Sequence, residues 1–275
     1  MSRRLCIMLH GAMRWHALAA VALTLALSFD QAVAQATLPV GFVYLRDVDP
    51  TIVQDIRYAG VDNFVGRPLP GYAAAECILR RDVAAALKRV QADLAGSGLA
   101  LKVYDCYRPE RAVRAMASWA NDGRSGDAGK RFFPRLSKSS LFARGYIAAR
   151  SAHSTGIAVD LTLIAVSSAA AAIFDMAASY GPCTGPAAKR SPDNSLDMGT
   201  GFDCFDVNSH TASAAIDTEQ RRWRALLVAV MAKRGFSNYH REWWHFAYAN
   251  RGSAPHYDFP ISPRPLKTPP ETARP

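Results

Sequence analysis

Beyond residue 34 the sequence contains no uninterrupted apolar run able to cross a bilayer, no internal repeat, no CxxC pair and no dense run of lysine or arginine. The first absence excludes a polytopic membrane protein, since a spanning helix needs ~20 apolar residues. The second excludes a solenoid or propeller assembled from recurring units. Without a CxxC pair the common structural zinc knuckles have no ligand pattern. Charge is present but unclustered. The formal net charge is +10, yet the basic residues are scattered, and no basic stripe with interleaved aromatics marks a nucleic-acid surface. The excess serves solubility and attraction to anionic envelope polymers.

What is present starts with Arg3, Arg4 and Arg14, an apolar run from Ala17 to Phe29, and Ala32-Val33-Ala34. This is the layout of a secretory signal peptide over residues 1–34, with cleavage expected after Ala34. Loss of three arginines and Asp30 with this leader lowers the formal charge to +8 and leaves about 240 residues, enough for one substantial core. The expected destination is periplasmic or extracellular, with no membrane span after cleavage. Four cysteines then remain, Cys77, Cys106, Cys183 and Cys204, an even number in an oxidising compartment, which reads as disulfides. Cys183 and Cys204 bracket one Gly/Pro/Ser-rich loop and are expected to pair, leaving Cys77 with Cys106.

Apolar residues recur at helical spacing from Ile78 to Leu94, before Gly96 and Gly98. Further helices are expected from Pro109 through Trp119 and from Thr218 to Arg234. Leu101–Asp105, Gly156–Leu163 and Trp243–Tyr248 have strand composition. Because the elements do not alternate regularly, the expected fold is α+β, a single domain with a mainly antiparallel sheet packed with helices. Ser179–Gly201 reads as a long loop near function. Residues 261–275, with five prolines, read as an extended tail after a catalytic domain at 35–260.

The chemistry begins at Ser151-Ala152-His153-Ser154-Thr155-Gly156-Ile157-Ala158-Val159-Asp160. A histidine and a carboxylate seven residues apart cannot share one helical turn. A chain reversal at Thr155-Gly156 instead lets them converge on one ion, and a catalytic zinc site needs a third protein ligand with one position left for water. Of His210, His240, His245 and His256, only His245 stands beside a carboxylate in an aromatic setting, Glu242-Trp243-Trp244-His245. A spacing of three would put Glu242 and His245 on opposite faces of a regular strand. Glu242 is therefore expected in a bend just before the strand, facing the metal as general base. The tryptophans are read as packing. Arg108, between a predicted strand and a helix opening on Pro109, is suited to steady an oxyanion.

These residues resemble the zinc D-alanyl-D-alanine dipeptidases, within the wider zinc D,D-peptidases. The resemblance runs from about Asp55 to Pro260 and rests on Tyr58 with Asp62-Asn63-Phe64-Val65-Gly66, on Tyr107-Arg108-Pro109, on the stretch from Ser151 to Leu163, on Met198-Gly199 with Phe202-Asp203, and on Glu242 to His245. It implies a hedgehog/D,D-peptidase-like fold and one Zn2+ per chain, held by His153, Asp160 and His245, with Glu242 and Arg108 catalytic. It further implies that Asp203 and Tyr58 hold the ammonium of a small cell-wall-derived dipeptide while Ser151 helps receive its carboxylate. Ala152 departs from the serine of the resistance-type members and removes one hydroxyl contact. The alternatives are a D,D-carboxypeptidase or endopeptidase acting on peptidoglycan stems, and a non-catalytic zinc-dependent wall-binding module.

Overall fold

Two strands with almost no exposed residue form the centre of the molecule: β4 (Leu99–Asp105) and β5 (Ala158–Ala165). Such strands need cover on both faces, and they receive it. The computed structural model describes residues 37–124, 127–168, 173–249 and 254–265, all within one compact unit. The expected signal peptide and the tail from residue 266 lie outside the described residues. Around the central pair lie β1 (Phe42–Tyr44), β2 (Val53–Gln54), β3 (Ile78–Arg80), β6 (Phe236–Asn238) and β7 (His245–Tyr248). The helices are α1 (Leu45–Val48), α2 (Arg81–Ala95), α3 (Glu110–Ala120), α4 (Asp127–Phe132) and α5 (Thr218–Ala232). A five-stranded sheet runs β2-β4-β5-β7-β6, antiparallel except for β2 against β4, and β1 pairs antiparallel with β3 in a separate ribbon. The architecture is α+β with a mainly antiparallel sheet, as expected.

Side-chain alternation divides the labour of the two faces. Leu101, Val103, Leu161 and Leu163 form an apolar face against which α2 and α5 pack. The opposite face carries Lys102, Tyr104 and Thr162 and is covered by the long loop. Lys102 and Tyr104 bond Asp193, the Leu196 N–H donates to Leu163, and Tyr104 stacks on Phe202 with ring centroids 4.4 Å apart. The loop is stapled by the Cys183–Cys204 disulfide, and the second bridge joins Cys77 to Cys106. Both pairings are those expected.

A register shift between Val103 and Asp105 turns Asp105 onto the face of its partner Asp160. Asp160 in turn pairs with His245. Three polar side chains thus line up across three adjacent strands.

Several expected boundaries shift by one to three residues, and two of the shifts have a clear cause. The helix foreseen from Ile78 begins at Arg81, because Ile78 and Leu79 are both fully buried and their backbone is held as strand by β1 and by the Tyr107 N–H donating to Ile78. The strand foreseen from Trp243 begins at His245, after a turn closed by the His245 N–H on the Glu242 carbonyl at 3.3 Å. Glu242 therefore occupies the bend before the strand.

Candidate active site

A short 3-10 turn, Ala152–Thr155, presents His153. Ser151 caps it by accepting from the His153 N–H, and Gly156 ends it with φ 76°, where an added Cβ would lie 2.3 Å from the Phe42 ring. Glycine is required on both counts. The chain then enters β5 and delivers Asp160. His153 Nδ1 lies 2.6 Å from the Cys106 carbonyl, which can only accept, so Nδ1 carries the proton and Nε2 keeps its lone pair for the site.

His153 Nε2, Asp160 Oδ1 and His245 Nδ1 are 2.9, 3.1 and 3.3 Å from one another. Ligands at ~2.0 Å around a tetrahedral ion stand roughly 3.3 Å apart, so the three residues fit one metal ion, and they are the one cluster of this kind among the described residues. Burial alone would raise the Asp160 carboxyl, but its hydrogen bonds and electrostatic attraction to the His153 and His245 rings hold it well below the usual carboxylate range. Burial holds His245 below the usual imidazole value against the opposing bond from Asp160, which favours the neutral, ligating form.

Glu242 stands beside the triad, its Oε2 4.0 Å from His245 Nδ1 and its side chain 12% exposed. Burial, then Asp160 and Asp203, push this carboxyl well up, and Arg108 opposes them. Arg108 forks onto Asp105 at 2.9 and 2.8 Å, reaches Asp160 at 3.5 Å and lies 4.8 Å above the Tyr58 ring. Asp203 accepts from the Tyr58 hydroxyl at 2.8 Å. Burial and Asp160 raise the Asp203 carboxyl, while Tyr58 and Arg108 work against them.

A cavity of about 250 Å³ gathers Tyr58, Arg108, Ser151, His153, Asp160, Asp203, Glu242 and His245. These are the eight site residues expected from the sequence. His210, His240 and His256 do not line it. Trp243 is core, its indole N–H donating to Thr200, whereas Trp244 is buried and also forms cavity wall.

Sequence reasoning missed Asp105, fully buried, which receives the Arg108 fork and the Tyr72 hydroxyl at 2.6 Å and lies 3.4 Å from His153 Nδ1. Its position three residues before Arg108 was the available signal. Arg150, Tyr146 and Tyr239 also line the cavity and carried no signal of their own.

The sequence matches the family profile described as D-ala-D-ala dipeptidase over residues 39–182 and 187–262. It is 33% identical over 225 residues to the D-alanyl-D-alanine dipeptidase of Streptomyces coelicolor, covering 80% of this chain and 98% of that one. To the D-alanyl-D-alanine dipeptidase of Enterococcus faecium it is 29% identical, covering 82% and 100%. Among solved structures, a vancomycin resistance D,D-pentapeptidase in complex with Zn(II) aligns over 73% of this chain and 88% of its own, at 12% identity and a TM-score of 0.32, too slight a likeness to carry an argument. The profile match and the length of shared sequence establish that the chain belongs to the D-Ala-D-Ala dipeptidase family and is a peptidase, a hydrolase of that class.

Proposed function

We propose that this protein is an exported zinc dipeptidase that hydrolyses free D-Ala-D-Ala to two D-alanines, with His153, Asp160 and His245 holding one Zn2+. The observation that carries the reading is Asp203, a buried carboxylate lining the same small cavity as the triad. A buried acid at that place is useful when it meets a cation, and the free ammonium of a dipeptide supplies one. A longer or blocked peptide would leave it unpaired.

Zinc bound at the triad would supply Lewis-acid polarisation of the scissile carbonyl and a more acidic water. The remaining work falls to side chains. Asp203 and Tyr58 hold the ammonium and so fix one end of the substrate. Ser151, with exposed Arg150 near it in the cavity lining, receives the carboxylate at the other end. Glu242 takes the proton of the attacking water and passes it to the leaving amine. Arg108, braced by Asp105, faces the oxygen that gains negative charge. Ala152 brings no hydroxyl to the carboxylate end.

Export is supported by the two disulfides, which persist in oxidising compartments. No helix among the described residues is long and apolar enough to cross a membrane. In that location the substrate is dipeptide released from the cell wall.

The test is release of D-alanine by zinc-loaded protein from D-Ala-D-Ala, N-acetyl-D-Ala-D-Ala and a stem pentapeptide. Cleavage confined to the free dipeptide is expected. Preference for blocked or longer substrates would assign the protein to the carboxypeptidases instead, and binding of wall fragments without turnover would make it a binding module.

A further inference from the structure

The metal-site side chains stand on strands or directly against them, whereas Asp203 belongs to an irregular segment with neither strand nor helix to fix it. Its backbone is left-handed, φ 55°, a conformation that a non-glycine residue keeps only when its neighbours enforce it. Two links flank it and run to the same residue. The Gly201 N–H donates to the Cys183 carbonyl at 2.9 Å, and Cys204, next after Asp203, is disulfide-bonded to Cys183. Cys183 is itself anchored, its N–H donating to Arg131 at 2.7 Å. Beyond Asp203 the Cys204 carbonyl accepts from the Ser209 hydroxyl at 2.6 Å, and the Phe205 N–H donates to Phe132 at 2.8 Å. Cys183, Asp203, Cys204 and Phe205 are all buried.

We propose that the Cys183–Cys204 disulfide is a positioning device for Asp203, so that it sets the preference for a substrate with a free ammonium. This rests on the reading of Asp203 as the ammonium holder. The other disulfide supports a different part of the site, because the Cys106 carbonyl takes the Nδ1 proton of His153. Opening the two bridges therefore has different kinetic consequences. Loss of Cys183–Cys204 shifts the carboxylate that meets the substrate amine and acts on KM. Loss of Cys77–Cys106 loosens a metal ligand and acts on zinc retention and kcat.

The experiment compares the zinc-loaded wild type, Cys183→Ser/Cys204→Ser, Cys77→Ser/Cys106→Ser and Asp203→Asn on D-Ala-D-Ala and N-acetyl-D-Ala-D-Ala. For the Cys183/Cys204 variant the expected result is a KM for the free dipeptide raised about tenfold, with kcat and zinc content held, so that selectivity over the blocked dipeptide falls by about the same factor. Unchanged selectivity in the folded, zinc-loaded variant overturns the proposal. So does an equal loss of selectivity in the Cys77/Cys106 variant, which would reveal general loosening. Should the serine pair not fold, stepwise reduction and alkylation of native enzyme, with mass mapping of the opened bridge, gives the same readout: selectivity falls in step with opening of Cys183–Cys204, or the proposal fails. Asp203→Asn separates the two layers. If it abolishes selectivity while the disulfide variant does not, only the clamp is wrong; if it keeps selectivity, the ammonium reading fails and the clamp with it.

Discussion

Tyr58→Phe removes a single oxygen and leaves the rest of the ring's contacts in place. The ring still meets Phe64 and Tyr72 edge-on, both at 5.9 Å between centroids, and still lies 4.8 Å beneath the Arg108 guanidinium. What is lost is the hydroxyl donating to Asp203 at 2.8 Å. A hydrogen bond to a charged acceptor contributes ~1.5–3 kcal/mol. At about 1.36 kcal/mol per decade, that corresponds to a roughly 10- to 150-fold rise in KM for the free dipeptide. On the proposed assignment the bond serves the carboxylate that meets the substrate amine and not the reacting carbonyl, so kcat should hold. The pH profile adds a second readout. Burial and Asp160 raise the Asp203 carboxyl, and the Tyr58 bond is a force that lowers it. Only the ionised carboxylate holds an ammonium, so kcat/KM declines as pH falls through the Asp203 pKa, and removing the hydroxyl moves that acidic limb to higher pH. Initial rates of D-alanine release across pH, in zinc-saturated enzyme, measure both effects. A KM within about threefold of wild type together with an unmoved limb would remove Asp203 and Tyr58 from substrate binding.

Glu242→Ala should keep the metal and lose about 10²–10⁴ in kcat, whereas His245→Ala should lose metal and activity together. Metal content by elemental analysis beside turnover decides this, and full activity in Glu242→Ala would end its assignment as base. Arg108→Lys replaces a two-bond fork onto Asp105 with a point charge, and kcat should fall about 10²-fold with KM little altered. A change confined to KM would make Arg108 a binding residue.

What the sequence disclosed and what it concealed have separate physical causes. The His153–Asp160 pair was legible because a glycine turn leading into a strand is a local event, and Gly156 is left-handed there with no room for a side chain. Glu242 was legible because strand periodicity forbids it from facing the site on a regular strand, and it lies in the turn before β7. Asp105 was hidden by the same periodicity. Alternation along β4 puts it with Leu101 and Val103 on the helix-facing side, and a register shift that no local composition signals turns it to Asp160. Ile78–Arg80 read as helix because the apolar spacing continues into α2, while its strand form depends on β1, remote in sequence. The Ser179–Gly201 segment was recognisable as a loop, but its burial of Asp193 against Lys102 and Tyr104 depends on contacts about ninety residues apart.

The carboxyls of the site bear on metal binding itself. Asp105, Asp160, Asp203 and Glu242 crowd one largely buried region with Arg108 as the close countercharge, and three of the four are raised above their ordinary values, burial being the largest cause. A carboxyl raised in the folded state binds protons that the unfolded chain has already released. The stability of the metal-free protein therefore falls as pH climbs from the ordinary carboxylate range towards those raised values. With a dication held by His153, Asp160 and His245 the local balance would reverse, Glu242 and Asp203 would be favoured in their ionised forms, and that slope would be cancelled. Asp160 is already held low and His245 already neutral, so neither has a proton to give up on binding. The Tm difference between zinc-loaded and metal-free protein should accordingly widen with rising pH over this window. Zinc binding should release protons, seen by calorimetry in two buffers of different ionisation enthalpy, and Glu242→Gln should reduce their number. A Tm difference independent of pH, with the same proton release in Glu242→Gln as in wild type, would show that these carboxyls do not answer to the metal.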